Sequence, residues 1–381
     1  MAAAAGIDGH NWLYPVAYGV FDLETNENWK WFMEQLRKAI GTPPGLAISS
    51  DACKGLAGAI ASEFPDAEHR ECMRHLMENF KKKFHGEVFA NNMWPAAKAY
   101  TTEKCQFHLS TIKEASPEAI KYLEKNHKQH CCRNKFSELS KCDYVNNNIS
   151  ESFNSWIKDL KDLHVVDLVD GIRQRIMVTF DKRRMIGRKL RSVILPSVMQ
   201  QLNAKSRNIG KVSLSRGGDN CAEVSGIDSD GNAWRHAVEL DKQECTCREW
   251  QLSGLPCIHA VAFICSLRGA RLEDYVHEYY SLDRFRVAYE GVIRPMTDKS
   301  QWVKFDPGFK VCPPKMKRPP GRPRKQRIHG CLEPGSKRQK CKRCQQFGHQ
   351  ARTCKELVLG DQGGPGPRTN KRYQKLCIYV F

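Results

Sequence analysis

The sequence predicts an α/β domain, then a small module of two strands and one helix (ββα), then a basic tail with little fixed structure. Over the first 90 residues, short apolar runs alternate with segments of helical spacing. After residue 210, a turn-rich stretch separates two strand-like runs. Beyond about residue 290, Pro, Gly and basic residues dominate, a composition that buries little apolar surface.

The α/β pattern is clearest before residue 66. The run LYPVAYGVFD predicts a strand, and NENWKWFMEQLRKAI places Trp29, Phe32 and Leu36 on one helical face. GLAISSD predicts a short buried strand, and KGLAGAIASEF predicts a helix that ends at Pro65.

The rest of the chain divides at about residue 205. From 90 to 205 we expect mostly helix, because NNNISESFNSWIKDLKDL and LVDGIRQRIMVTFDKRRMIGRKL are amphipathic. CAEVSGI and AWRHAVELD flank the turn DSDGN and predict a β-hairpin, which the helix IHAVAFICSLR follows.

The formal net charge is +19, from 61 Lys and Arg against 42 Asp and Glu, and much of the excess lies between residues 299 and 355. This balance favours a polyanionic partner, nucleic acid before membrane. No apolar run approaches the length of a membrane span, and the first residues lack the features of a secretory signal. The 17 cysteines, odd in number and unevenly spaced, argue against a disulfide framework.

CTCREWQLSGLPCIHA contains four metal-ligand residues, Cys245, Cys247, Cys257 and His259. Three thiolates and an imidazole suit tetrahedral Zn²⁺, and four protein ligands make a closed, structural site. The alternative is that these are small buried hydrophobic residues. Their division into two pairs around a Gly-Pro turn favours zinc, and we call residues 210–282, which contain this pattern, the zinc module.

CKRCQQFGHQARTC predicts a second structural zinc site, with Cys341, Cys344, His349 and Cys354 as ligands. The spacing C-x2-C-x4-H-x4-C is typical of the CCHC zinc knuckle, which we place at residues 338–356. Knuckles bind single-stranded nucleic acid, and Phe347 is the candidate for base stacking. We expect a disordered tail over residues 357–381.

A basic linker, residues 299–335, precedes the knuckle. Its core KRPPGRPRKQR resembles an AT-hook, whose arginines lie in the narrow minor groove of A·T-rich DNA. The candidate nucleic-acid contacts are Arg318, Arg322, Arg324 and Lys325. The same run is a nuclear-localisation candidate, and a solubilising linker is the alternative.

Several segments together resemble a known family. GIDGHNWLYPVAYGVFDLETNENWKWFMEQL, ISSDACKGLAGAIASEFPDAEHRECMRHLMENFKKKFHG and YVNNNISESFNSWI are similar to the transposase domain of plant Mutator-like elements (MULE). In that family a SWIM zinc finger follows, which the first cysteine pattern resembles, and then often a knuckle. The resemblance implies an RNase H-like fold over residues 1–205 with a helical extension.

The resemblance also implies a catalytic set of two aspartates and one glutamate that holds Mg²⁺ or Mn²⁺. Asp51 matches the second aspartate, and Glu151 matches the glutamate. Cys72 and His75 match a C-x2-H signature, with either a metal-binding or a structural role. Asp51 alone would also suit a helix N-cap.

The first catalytic aspartate has no match. Asp8 and Asp22 both lie after the strand that carries it in the family. We therefore expect a truncated domain whose first strand is missing, with an unpaired sheet edge. A decayed or domesticated element and an incorrect start codon both explain this, and the sequence does not separate them.

The resulting prediction is a nuclear, zinc-binding and nucleic-acid-binding protein derived from a transposase, in which Asp51 and Glu151 are relics of a lost activity. The expected partners are DNA, single-stranded nucleic acid through the knuckle, and other proteins, with no membrane. Two alternatives stay open. One is an active DDE-type transposase that cleaves DNA and transfers strands, and the other is a protein-interaction module in transcription or chromatin.

Overall fold

The computed structural model describes residues 1–51, 54–127, 131–228, 231–303, 306, 308 and 377–380. Residues Met1–Met296 and Arg372–Phe381 form one compact unit, and Thr297–Lys371 form a second. Almost all of the second unit lies outside the described residues. The predictions that fall there are the AT-hook-like contacts Arg318, Arg322, Arg324 and Lys325 and the knuckle residues Cys341, Cys344, Phe347, His349 and Cys354.

The described strands form two sheets. In chain order they are β1 (Ala2–Ile7), β2 (Leu13–Gly19), β3 (Ala47–Ser50), β4 (Glu68–Glu71), β5 (Val212–Arg216), β6 (Cys221–Ile227), β7 (Ala233–Glu239), β8 (Glu244–Cys245) and β9 (Cys377–Val380). The first sheet has the order β2-β1-β9-β3-β4, and the second has the order β5-β6-β7-β8.

Helices surround and connect these sheets. In chain order they are α1 (Asn26–Ile40), α2 (Lys54–Glu63), α3 (Met73–Phe80), α4 (Glu87–Lys98), α5 (Thr102–Ala115), α6 (Pro117–Asn126), α7 (Asn148–Trp156), α8 (Val165–Lys189), α9 (Pro196–Arg207), α10 (Glu249–Ser253), α11 (Ile258–Ser266) and α12 (Leu282–Ala288). In the described part of the chain, none of the helices combines the length and the hydropathy that a bilayer span requires.

Helices cover both faces of the first sheet. Ala2 and Ala4 pack with buried side chains of α1 and α2. Ala3, which points to the other face, packs with Phe153 and Ile172 of α7 and α8. Successive side chains of a strand point to opposite faces, so an alanine run lets helices approach this strand from both sides.

The predicted elements before residue 66 are confirmed. Helix α1 begins after Thr25, whose side chain accepts a hydrogen bond from the Asn28 backbone N–H. Trp29, Phe32 and Leu36 are buried in α1, as their spacing predicts. Strand β3 and helix α2 coincide with the runs predicted for them.

Strand β9 differs from two expectations, in the tail only at Cys377–Val380, the part of it that the structure describes. The sequence predicts a disordered tail over 357–381 and an unpaired edge in the sheet. Instead, Cys377–Val380 lies between β1 and β3, antiparallel to β1 and parallel to β3. Because unpaired backbone groups beside a buried strand are costly, an apolar segment with β-branched and aromatic residues is stabilised there.

The zinc module packs on the helical region. Leu252 of α10 lies in one core cluster with Met73, Phe80 and Phe136. Arg248, in the left-handed conformation at φ 62°, donates hydrogen bonds to the backbone carbonyl of Asn134 at 2.8 Å and to the Glu138 carboxylate. The predicted division near residue 205 therefore lies within one compact unit.

The module is also larger than a ββα unit. The predicted hairpin is present as β6 and β7, which pair from Cys221–Glu239 to Ile227–Ala233. Strands β5 and β8 extend it to a sheet of four strands, and α10 precedes the predicted helix α11. The first cysteine therefore comes from β8 and not from the hairpin itself.

Candidate metal centre

Local backbone geometry brings the two ligand pairs of the zinc module together. Cys245 ends β8, and Cys247 follows two residues later. Cys257 is the N-cap of α11, where its thiol accepts a hydrogen bond from the Ala260 backbone N–H at 3.4 Å. His259 lies in the first turn of α11. Gly254, at φ 72°, reverses the chain between the pairs, a conformation that favours glycine.

The four side chains fit a tetrahedral zinc ion. Their ligand atoms all lie within 4.8 Å of one another. His259 Nδ1 lies 3.6 Å from Cys245 Sγ and 3.7 Å from Cys257 Sγ. Bond lengths of roughly 2.3 Å to sulfur and 2.0–2.1 Å to nitrogen imply about 3.5 Å between S and N in a tetrahedral site. The set therefore suits Zn²⁺, with Nδ1 as the histidine ligand atom.

The thiols perturb one another strongly. Hydrogen bonding with Cys245 and Cys257 lowers the pKa of the Cys247 thiol, whereas burial raises the pKa of Cys257. Hydrogen bonding with Cys247 raises the pKa of Cys245 to about 12. A cation bound among them stabilises all three thiolates, so metal binding releases the protons that the thiols otherwise share.

The proposed catalytic carboxylates do not assemble into a comparable site. Asp51 follows β3 and is half-buried. Glu151 lies in the first turn of α7, exposed by 58%, and forms an ion pair with Arg74 Nη1. In the described part of the chain, the zinc set is the one group of three or more metal-ligand residues whose atoms lie this close.

Neither of the two upstream aspartates is placed to act as the third carboxylate. Asp8 is 7% exposed and accepts hydrogen bonds from the backbone N–H groups of His10 and Trp12, both at 2.9 Å, and from the Tyr289 hydroxyl at 2.6 Å. Asp22 accepts hydrogen bonds from the Leu23 backbone N–H and the Asn28 side-chain amide. Both carboxylates thus stabilise local turns, and Asp8 also joins β1 to Tyr289, 281 residues further along the chain.

Cys72 and His75 lie at the start of α3. Cys72 is 1% exposed, and its thiol accepts a hydrogen bond from the Asn147 backbone N–H at 3.1 Å. Burial alone would raise the pKa of this thiol, but hydrogen bonding with His75 outweighs it and lowers the pKa. The same hydrogen bond raises the pKa of His75. No third metal ligand joins this pair among the residues that the structure describes.

The aromatic surroundings of His259 are not apparent from the sequence. The ring centroids of Trp234 and His236 lie 4.9 and 4.3 Å from that of His259. Both residues belong to β7 and, two positions apart, lie on one face of it. This alternation is visible in AWRHAVE, but only the fold shows that the face contacts the zinc ligands.

Comparison with known proteins agrees with two of the resemblances. A family profile described as "MULE transposase domain" matches residues 1–79, and one described as "SWIM zinc finger" matches residues 236–262. A stretch of 74 residues is 32% identical to the PKS-NRPS hybrid synthetase cheA of Chaetomium globosum. That stretch makes up 18% of this chain and 2% of the synthetase, so the likeness is confined to a small part of each protein.

Proposed function

We propose that this chain is a zinc-organised nucleic-acid-binding protein derived from a plant MULE transposase and without DNA-cleaving activity. The observation that carries the proposal is the arrangement of Cys245, Cys247, Cys257 and His259 beside an aromatic and basic surface. The net charge of +19 supports a polyanionic partner.

We extend this proposal to the fold of the first sheet, to the tail and to the location of the protein. The first sheet, covered by helices on both faces, is an RNase H-like domain. In it β9 lies where a strand is needed between β1 and β3. The knuckle at 338–356 holds a second zinc ion and binds single strands, the basic linker binds A·T-rich DNA, and the protein acts in the nucleus.

The state of the carboxylates supports the loss of cleavage. A two-metal mechanism needs several carboxylate oxygens directed at the same ions. Glu151 is paired with the Arg74 guanidinium, and the Asp8 carboxylate already accepts three hydrogen bonds. Among the described residues, no two further metal-ligand side chains lie close enough to Asp51 to complete an Mg²⁺ site with it.

Salt-dependent binding tests the proposal. Full-length, zinc-loaded protein is titrated with fluorescent duplex and single-stranded DNA at 50 and 200 mM salt. Contacts between Lys or Arg and phosphates release counterions, so we expect affinity to fall steeply as salt rises. Equal affinity at both salt concentrations would contradict nucleic-acid binding as the function.

Cleavage is tested on supercoiled DNA with Mn²⁺, with the wild type beside Asp51→Asn. We expect no nicking by either protein when both bind DNA and retain zinc. Nicking by the wild type that Asp51→Asn abolishes would establish the active transposase instead.

A protein partner is the second candidate, favoured by one surface feature. Four large apolar side chains in the first turns of α8 and just before it are 37–57% exposed: Leu163, Val165, Val166 and Val169. Deletion of residues 310–355 separates the two functions. Loss of DNA binding with retained partner binding would support an interaction role for the remaining chain.

A further inference from the structure

A cleft of about 560 Å³ opens beside the zinc ligands, between the helical region and the zinc module. Its volume is within the range of small-ligand sites, roughly 300–1,000 Å³. Helices α4 and α5 and the loop between them form one wall, with Lys98, Tyr100 and Lys104. Strand β7 and helix α11 form the other, with Trp234, His236 and His259.

The β7 wall presents aromatic rings in a fixed position. Trp234 pairs with Gly226 across the hairpin, and a Cβ at Gly226 would lie only 2.5 Å from Trp234 Cζ2. The indole therefore packs closely on the bare backbone of the neighbouring strand. The centroids of Trp234 and His236 are 5.9 Å apart at an interplanar angle of 32°, and both rings are half-exposed. Exposed, immobilised rings of this kind are suited to stacking against a base.

The helical wall supplies positive charge. Lys98 ends α4 and Lys104 lies in the first turn of α5, and both are exposed. Within the described residues neither lysine forms an ion pair with a carboxylate, although Lys98 lies over the Trp94 ring. The backbone N–H groups at the start of α5, which follows Thr101 in the cleft, add to this positive potential.

The two carboxylates that line the cleft already have partners within the protein. Glu249 forms an ion pair with Lys205 at 2.8 Å. Asp228 accepts a hydrogen bond from the Asn232 backbone N–H at 2.8 Å, within the β6–β7 turn. Glu249 is therefore neutralised by Lys205, whereas the Asp228 carboxylate keeps its negative charge. Lys98 and Lys104 are the cations of the cleft lining that can contact a phosphate.

We propose that this cleft binds one unpaired nucleotide of a single-stranded nucleic acid. The base packs against Trp234 and His236, and a flanking phosphate lies between Lys98 and Lys104. Unpaired bases are favoured because the rings need an open base face, which a stacked duplex conceals. The inference rests on the proposed function and assigns a specific binding site to it.

Cross-linking to full-length, zinc-loaded protein locates the base. The probe is a 15-residue thymidine oligonucleotide with one 4-thiothymidine, irradiated in complex and mapped by mass spectrometry. We expect cross-linked peptides that contain Tyr100, Trp234 or His236. Cross-links confined to residues 299–355 would overturn the assignment.

Charge reversal tests the phosphate contacts. We expect the double variant Lys98→Glu, Lys104→Glu to bind the oligonucleotide about tenfold more weakly, with a salt slope smaller by about 0.7 for each phosphate that the lysines no longer neutralise. The matched control is Lys113→Glu, Lys125→Glu, which makes the same charge change on exposed helix positions outside the cleft. Zinc content measured in each variant shows that the module is intact.

The outcomes separate the two proposals. If wild-type protein binds no nucleic acid in a salt-dependent manner, the proposed function fails and the cleft assignment with it. If it binds but both double variants bind equally well, only the cleft assignment is overturned. Equal weakening of duplex and single-strand binding by the cleft variant would contradict the preference for unpaired bases.

Discussion

Arg70 shows how a charged residue is accommodated in the interior. The side chain is 1% exposed and lies in β4, between the sheet and the loop before α7. It donates hydrogen bonds to both carboxylate oxygens of Glu68, to the Cys142 backbone carbonyl at 2.6 Å and to the Ser140 hydroxyl at 2.9 Å. Its guanidinium also covers the Phe136 ring at 3.8 Å. A bidentate guanidinium pair of this kind offsets much of the desolvation of both charges.

Replacing Arg70 with methionine should therefore destabilise the folded protein strongly. Arg70→Met leaves the Glu68 carboxylate, 11% exposed, without its guanidinium, and we expect a loss of about 3–5 kcal/mol in the free energy of unfolding. Urea denaturation measures the loss. The control is Arg235→Met. It breaks an ion pair with Glu223 in which the Arg235 side chain is 67% exposed, and it should lower the free energy of unfolding by about 0–1 kcal/mol. Equal losses in the two variants would refute the role assigned to Arg70.

His10 should make stability depend on pH. Burial lowers the pKa of His10 below its ordinary 6.5, although the nearby Asp8 carboxylate opposes the shift. Its Nδ1 lies 3.0 Å from the Ser197 hydroxyl, whereas its buried Nε2 has no partner among the described residues. Between the lowered pKa of the folded state and 6.5, the unfolded chain binds more protons than the folded one. The free energy of unfolding must therefore fall as pH decreases below about 6.5.

The variant His10→Gln should flatten that fall. We expect a smaller change in unfolding free energy between pH 6.5 and 5 than in the wild type, measured by denaturant titration at each pH. His85→Gln, at an exposed position, should leave the slope unchanged. A wild-type slope retained in His10→Gln would show that other groups determine the pH dependence.

Among the helices and strands, those with a regular apolar periodicity could be predicted from the sequence. Those that depend on tertiary contacts could not. Helix α1 follows from the spacing of its buried residues, and the metal ligands follow from a local pattern of fifteen residues. Strand β1 could not be predicted from the sequence, because four successive alanines carry no strand preference. They form a strand only through pairing and burial in the fold. Strand β4 could not be predicted either, because its sequence EHRE is charged and lacks the apolar pattern of a buried strand. Its charged side chains form pairs only within the fold.

Strand β9 has a central position in the first sheet, between β1 and β3. Tyr379 pairs with Ala5 of β1 and with Ser49 of β3. A proline removes a backbone N–H from the ladder, so we expect Tyr379→Pro to destabilise the compact unit by about 3 kcal/mol or more. Thermal and urea denaturation measure this effect.

Val292→Pro is the matched control for that experiment. Val292 is 70% exposed in a loop, and its backbone N–H donates no hydrogen bond within the described residues. We expect a change under about 1 kcal/mol. If Tyr379→Pro is as well tolerated as Val292→Pro, the pairing of β9 makes no contribution to stability.

At the scale of the whole molecule, the site joins parts that are distant in sequence. The zinc ligands span residues 245–259, but the cleft beside them takes one wall from residues 98–104 and the other from residues 233–259. The sequence predicts the metal site because its ligands are local. It does not predict the cleft, because no sequence pattern shows that α4 and α5 pack beside the zinc module.

We infer that a structural zinc ion organises this site, and the zinc content of the purified full-length protein is the decisive measurement. We expect Cys257→Ser to contain one zinc ion fewer per chain than the wild type and to unfold more readily, because the remaining ligands leave the tetrahedral set incomplete. Cys265→Ser changes an exposed thiol of the same helix and should keep the full zinc content. A Cys257→Ser protein with wild-type zinc content and stability would show that no zinc ion is bound by this set of ligands.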